Sequence, residues 1–70
     1  MDRIATVKTL ATAWQLIDFL SREFRGCQFQ VEMPARESFQ VWPAHGFPLT
    51  PHERDLIPQK LKAFRQLASA

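Results

Sequence analysis

The sequence has very few of the residues that cross-link small proteins or cradle phosphate groups. Its one cysteine, Cys27, excludes an internal disulfide, and no cysteine and histidine pair has the spacing of a zinc site. Gly26 and Gly46 are the only glycines, so the chain lacks a glycine-rich phosphate loop. We therefore expect neither a metal nor a cofactor, and a fold that depends on good packing or on a partner.

Long apolar runs and a strong net charge are also missing. No stretch approaches the roughly 20 apolar residues of a membrane-spanning helix, and the first eight residues lack the layout of a signal peptide. We expect no membrane association and a cytoplasmic location. A formal net charge of +2 on 70 residues is a weak argument for nucleic-acid binding. The length indicates one domain, residues 1–70, too short for an enzyme with its own deep cleft.

The first part of the chain has the apolar spacing of a helix over about residues 9–25. Its apolar residues recur in steps of three and four, at Leu10, Trp14, Ile17, Leu20 and Phe24. Gly26 stands where a helix C-terminus commonly places glycine. The β-branched threonines before residue 12 leave the start open, anywhere from Ile4 to Thr12.

The period then changes to two, which predicts a hairpin over about residues 27–42. Residues 27–33 alternate between apolar and polar, with the apolar set Cys27, Phe29, Val31 and Met33 expected to face the core. After a polar loop, residues 38–42 form a second strand with Phe39 and Val41 inward, and Pro43 ends it.

Thr50-Pro51-His52-Glu53 is the clearest local signal in the sequence. Threonine at the N-cap, proline at the first helical position and glutamate at the third make a capping box. A helix is predicted over about residues 51–67, burying Ile57, Leu61, Phe64 and Ala68. Pro58 predicts a kink near Asp55 or a division into two short helices.

This order predicts a small α+β domain of α-β-β-α connectivity. Two amphipathic helices would cover one face of a two-stranded antiparallel hairpin, which buries every apolar stripe. An isolated hairpin is marginally stable, so both helices are needed. Because a two-stranded sheet has no central strand, both strands would offer unpaired backbone groups to a partner.

The pattern resembles the TubC-type N-terminal docking domains of hybrid peptide and polyketide synthase assembly lines. The similarity covers about residues 12–68, and its motifs are Gly26 to Val31, Phe39-Gln40-Val41-Trp42-Pro43, Gly46, Leu49-Thr50-Pro51, Ile57, Lys60 and Leu61 to Leu67. The resemblance implies a docking fold whose exposed second strand accepts a peptide from another protein. Departures are Pro58 within the last helix and a hairpin turn without glycine. Those domains precede very large enzymes and this chain ends at Ala70, which favours a stand-alone adaptor or a small plasmid- or phage-type regulator.

The residues themselves also point to a protein-interaction module. We expect a partner segment, a short peptide or a helix, to bind along the exposed hairpin edge. The residues expected to take part are Gln40, Trp42, Gln28, Gln30, Phe39 and Val41. Phe39 and Val41 set the geometry of the strand, while Gln40 and Trp42 meet the partner by β-augmentation. An exposed tryptophan among glutamines is typical of an interface hot spot, and the alternative is that Trp42 packs under Phe47 or the loop from Pro43 to Pro48.

The sequence also leaves nucleic-acid binding and homodimerisation open as alternatives. A nucleic acid could bind the basic residues of the last helix, Arg54, Lys60, Lys62 and Arg65, although Glu53 and Asp55 dilute their charge. A homodimer could bury the wide stripe that Leu16 and Phe19 add to the first helix, unless the last helix covers both flanks. His45, His52 and the serines form no recognised catalytic arrangement, so we expect no enzyme activity and no catalytic residue.

Overall fold

The computed structural model describes residues 3–46 and 49–69, and these residues form a small α+β domain. Its elements are β1 (Ala5–Val7), α1 (Leu10–Glu23), β2 (Phe29–Ala35), β3 (Ser38–Pro43) and α2 (Pro51–Ser69). The three strands make one antiparallel sheet in the order β1-β3-β2. The predicted α+β class is confirmed, but the sheet has three described strands instead of two.

Strand β1 corrects the prediction for the start of the chain. Residues 5–7 pair antiparallel with β3, with Ala5 opposite Val41 and Val7 opposite Phe39. The β-branched Thr6 and Val7 favour an extended backbone, and Thr9 fixes the helix start after them by accepting a hydrogen bond from the Thr12 amide at 3.1 Å. Strand β3 is therefore the central strand, and the expectation that it is an exposed edge is wrong.

Helix α1 lies within the predicted range but buries a different stripe. Its buried residues are Ala13, Leu16, Ile17 and Leu20, followed by Phe24 at the C-cap. Leu10 and Trp14, predicted to face the core, are 47% and 56% exposed. Both sets have helical spacing and share three residues, so the spacing alone does not decide which stripe faces the sheet.

The hairpin forms with shifted bounds and one irregularity. Val31 lies opposite Val41, and Phe29 opposite Pro43, as the inward alternation predicts. The register shifts between Glu32 and Ala35, where Pro34 cannot donate to a ladder. Because of this bulge Met33 leaves the inward face and is 62% exposed, so its predicted place in the core is wrong.

Helix α2 continues through Pro58 as one helix, which contradicts the two-helix alternative. Ile57, Leu61 and Phe64 are half-buried against the core, as predicted, and the Phe64 ring lies 5.7 Å from that of Phe19. The predicted burial of Ala68 falls outside the side chains that the structure describes. Over the described ranges, neither helix has the length and hydropathy needed to span a membrane.

The hairpin turn generates the first testable prediction. Glu37 has a φ of 54°, in the left-handed region that costs a non-glycine residue about 1–2 kcal/mol. We expect Glu37→Gly to raise the free energy of unfolding by about 0.5 kcal/mol, since glycine's larger chain entropy offsets part of the relief. Urea denaturation would measure this.

Arg36→Gly is the matched control, because Arg36 precedes Glu37 in the same turn without a positive φ. It should lower stability. Two substitutions that shift the urea midpoint in the same direction would contradict the strain assigned to Glu37.

Candidate protein-interaction surface

The hairpin brings four polar or amphipathic side chains together on the sheet face opposite the core. Register places Gln30 opposite Trp42 and Glu32 opposite Gln40. The alternate residues Val31, Phe39 and Val41 face the other way, toward the helices. We call the set Gln30, Glu32, Gln40 and Trp42 the hairpin face. Sequence alternation predicted the side on which Gln30, Gln40 and Trp42 lie, and this is confirmed.

Trp42 sits half-buried in the hairpin face. Its indole Nε1 donates to Gln40 Oε1 at 3.3 Å, and Gln30 Nε2 donates to Glu32 Oε1 at 3.4 Å. A shallow depression of about 240 Å³ lies beside the indole, lined by Gln30, Glu32, Trp42, Pro43 and His45. Phe47 and Pro48 lie outside the described residues, so the packing of Trp42 under Phe47 stays a prediction.

The other three residues predicted to bind a partner lie apart from the hairpin face. Gln28 is exposed just before β2, and its carbonyl accepts the Ala44 amide at 2.8 Å. Phe39 is half-buried on the core side. Val41 is 0% exposed, so it can shape the strand but cannot contact a partner, which corrects its place among the binding residues.

The free edge of the hairpin is β2, because β3 is paired on both sides. The regular part of this edge runs over residues 29–32, before the bulge. Glu32 is its only charged residue, and no lysine protects it from pairing with another chain. The sequence pattern predicted that both hairpin strands are edges, which holds for β2 and is wrong for β3.

A second polar cluster joins the start of α2 to the chain before β2. The Thr50 amide donates to Glu53 Oε1 at 2.9 Å, and the Glu53 amide donates to Thr50 Oγ1 at 3.2 Å, so the predicted capping box is confirmed. The Cys27 thiol donates to Glu53 Oε2 at 3.3 Å. Sequence reasoning missed this last contact, since no local pattern links residues so far apart.

These contacts shift the pKa values of both groups. The hydrogen bond from the Thr50 amide, followed by that from Cys27, lowers the pKa of Glu53 from its ordinary 4.5. Burial, followed by the contact with Glu53, raises the pKa of Cys27 above its ordinary 9.0. The thiol is therefore protonated at neutral pH, and a protonated thiol is a poor nucleophile.

The four basic residues of the nucleic-acid alternative all lie on α2. Lys60 Nζ forms an ion pair with Glu23 Oε1 at 3.4 Å, which ties α2 to α1. Arg54, Lys62 and Arg65 are exposed. In the described part of the chain, no three acidic, histidine or cysteine residues gather as metal ligands.

The residues behind the predicted homodimer also lie differently. Leu16 is buried, and Phe19 packs against Phe64 within the chain. Phe64 of the last helix therefore covers Phe19, as the alternative expected, and Leu16 belongs to the core. A homodimer stays a prediction.

Comparison with protein-family models, curated proteins and solved structures found no match to this chain.

The lowered pKa of Glu53 predicts an acid-dependent stability. A carboxylate with a lowered folded pKa contributes fully above its unfolded value of about 4.5, and that contribution is lost as pH falls through the folded value. We expect Glu53→Gln to weaken this acid dependence. The stabilities of the wild type and the variant should therefore converge as the pH falls from 6 to 3. Urea midpoints across this range would measure it. Parallel curves would contradict the capping role of the carboxylate.

The raised pKa of Cys27 predicts slow alkylation of its thiol. We expect iodoacetamide to react more slowly with Cys27 in the folded protein than in urea, and faster with the Glu53→Gln variant, because removing the anion lowers the thiol pKa. Asp55→Asn, in the first turns of α2, is the matched control and should leave the rate unchanged. Equal rates in Glu53→Gln and wild type would count against the contact.

Proposed function

We propose that this protein is a non-catalytic docking module that binds an extended segment of a protein partner at the free edge of its hairpin. The observation that carries the proposal is the place of Trp42. Its half-buried indole lies near the amides of Gln30 and Gln40 and the carboxylate of Glu32, on the sheet face away from the core and one strand from the unpaired edge of β2.

The backbone of β2 supports edge recognition. Alternate residues of an edge strand direct their N–H and C=O groups away from the sheet, where an added strand can pair with them. The usable part spans residues 29–32, and the bulge with Pro34 ends it. Such pairing attracts any extended chain, so specificity has to come from side chains next to the edge.

The hairpin face supports that specificity. Tryptophan is enriched among residues that dominate binding energy, and the shallow depression of about 240 Å³ beside Trp42 offers room for one partner side chain. Gln40 holds the indole through its Oε1 atom. The amide groups of Gln30 and Gln40 can both donate and accept hydrogen bonds, which suits a polar, uncharged partner segment.

The remaining chemistry supports binding over catalysis. The Cys27 thiol is protonated and engaged with Glu53. Nucleic-acid binding through α2 loses support because the ion pair with Glu23 leaves Lys60 less able to contact phosphate.

Two tryptophans in different places make a controlled test. Dodecapeptides would be selected from a displayed random library on the wild-type protein, and their affinities measured for Trp42→Ala and Trp14→Ala. We expect the first variant to bind roughly 30-fold more weakly, the scale of a hot-spot residue. The second should bind like wild type, because Trp14 lies exposed on α1.

Circular dichroism decides whether Trp42→Ala keeps its fold. Where it does not, Gln30→Arg supplies the test, since Gln30 is exposed and a charge there should weaken binding without unfolding. Equal affinities for both tryptophan variants would contradict the proposal. Adding short duplex DNA supplies a second contradicting result: changes in the amide chemical shifts of residues 54–65 that vanish as the salt concentration rises.

A further inference from the structure

The opposite edge of the sheet carries a second groove, between β1 and α2. One cavity of about 190 Å³ has an apolar floor of Ile4, Leu49 and Ile57, with Arg3 and Arg54 at its rim. A second cavity of about 240 Å³ continues along residues 5–7 and is lined by Leu16, Leu61 and Phe64. A cavity of about 150 Å³ can hold a benzene ring, so each can take an aliphatic or aromatic side chain.

The lining residues of the two cavities show that β1 and α2 run in the same direction, with one cavity beside each end of the strand. The first cavity joins the start of β1 to Arg54, and the second joins the end of β1 to Arg65. Arg54 and Arg65 are eleven positions apart on one helix face, about three turns or ~16 Å. An extended chain rises about 3.3 Å per residue, so the groove matches about five residues.

The backbone of β1 is unpaired along this groove. Strand β3 pairs with one side of β1, and no described strand pairs with the other. Among the described residues, no Cα atom of α2 comes within 8 Å of a Cα atom in any strand. The edge of β1 therefore offers N–H and C=O groups to an added strand, below a half-buried apolar helix face.

The positive charges of Arg3 and Arg54 indicate which part of a ligand would bind at the first cavity. Arg3 and Arg54 both reach its rim, and neither forms a salt bridge with a described residue. Two guanidinium groups above an apolar floor suit a carboxylate attached to an apolar body, because arginine binds carboxylates in a planar, bidentate fashion. Both lie at the N-terminal end of β1, where an antiparallel added strand would end.

We propose that this groove binds the extended C-terminus of a partner protein as a fourth strand, antiparallel to β1. The last residue is apolar and fills the first cavity, and its terminal carboxylate lies between Arg3 and Arg54. The third residue from the end points into the second cavity, because alternate side chains of a strand share one face. This site lies at the other edge of the sheet from the hairpin face, although Pro43 lines both its first cavity and the depression beside Trp42.

The test uses the full chain labelled with ¹⁵N and two N-acetylated pentapeptide libraries. Both end in Val, Ile, Leu or Phe, one as free acids and the other as amides. We expect the acids to shift the amide signals of residues 4–7 and to bind at least tenfold more tightly than the amides. Arg54→Gln should abolish the difference, as should Arg3→Gln. Lys62→Gln should keep it, because Lys62 is exposed on α2 and lines neither cavity.

Three results would overturn the proposal. The first is equal binding of acids and amides, and the second is an acid preference that survives Arg54→Gln. The third is competition by free octanoate that leaves the residue 4–7 amides unshifted, which marks a site for small apolar acids. Trp42→Ala should leave peptide-acid binding unchanged. A loss of dodecapeptide binding in that variant, with peptide-acid binding retained, separates the hairpin face from this groove.

Discussion

The structure depends on the position of Val41 at the centre of the sheet. Its side chain is fully buried in the cluster that includes Ala13, Leu16 and Leu20. On either side it lies opposite a residue of a neighbouring strand, Ala5 in β1 and Val31 in β2. The Val41 carbonyl also accepts the Ile4 amide at 2.8 Å. Val41 thus lies where the three strands meet α1, and the strand order around it leaves β1 and β2 as the edges.

Local patterns in the sequence predicted what local interactions form. The four residues of the capping box define the start of α2 because their hydrogen bonds close within one turn. The period-two alternation predicted the hairpin and the side on which Trp42 lies. Trp14 was misplaced because two overlapping stripes of α1 have the same period. Met33 was misplaced because a bulge interrupts the alternation, and its position depends on the pairing of β2 with β3.

The edges of the sheet could not be predicted in the same way. Strand β1 has three residues, too few to show a period, and its partner β3 is far away in the sequence. Without β1, the central strand looks like an edge. Of the predicted binding residues, Gln30, Gln40 and Trp42 therefore share one surface, and of the two predicted edge strands only β2 is an edge. The groove beside β1 had no sequence signal, because it joins short segments from the two ends of the chain.

The attachment of α2 explains why that groove stays open. Helix α2 is held by its flanks: Lys60 pairs with Glu23, Phe64 contacts Phe19, and Glu53 accepts the Cys27 thiol. Each of these contacts is made to α1 or to the segment that follows it. The helix therefore lies beside the sheet without closing over the edge of β1, and Ile4, Ile57 and Leu61 in that region stay half-buried.

The long connection between β1 and β3 also has a consequence for assembly. The hairpin and α1 contain contacts between near neighbours, whereas β1 reaches β3 only after closing a loop that includes α1 and β2. Loop closure costs more entropy as the loop lengthens, and distant pairings slow folding. We expect β1 to join last and to open first, so its amide hydrogens should exchange well before those of α1. Each such opening would briefly return β3 to the role of an edge strand.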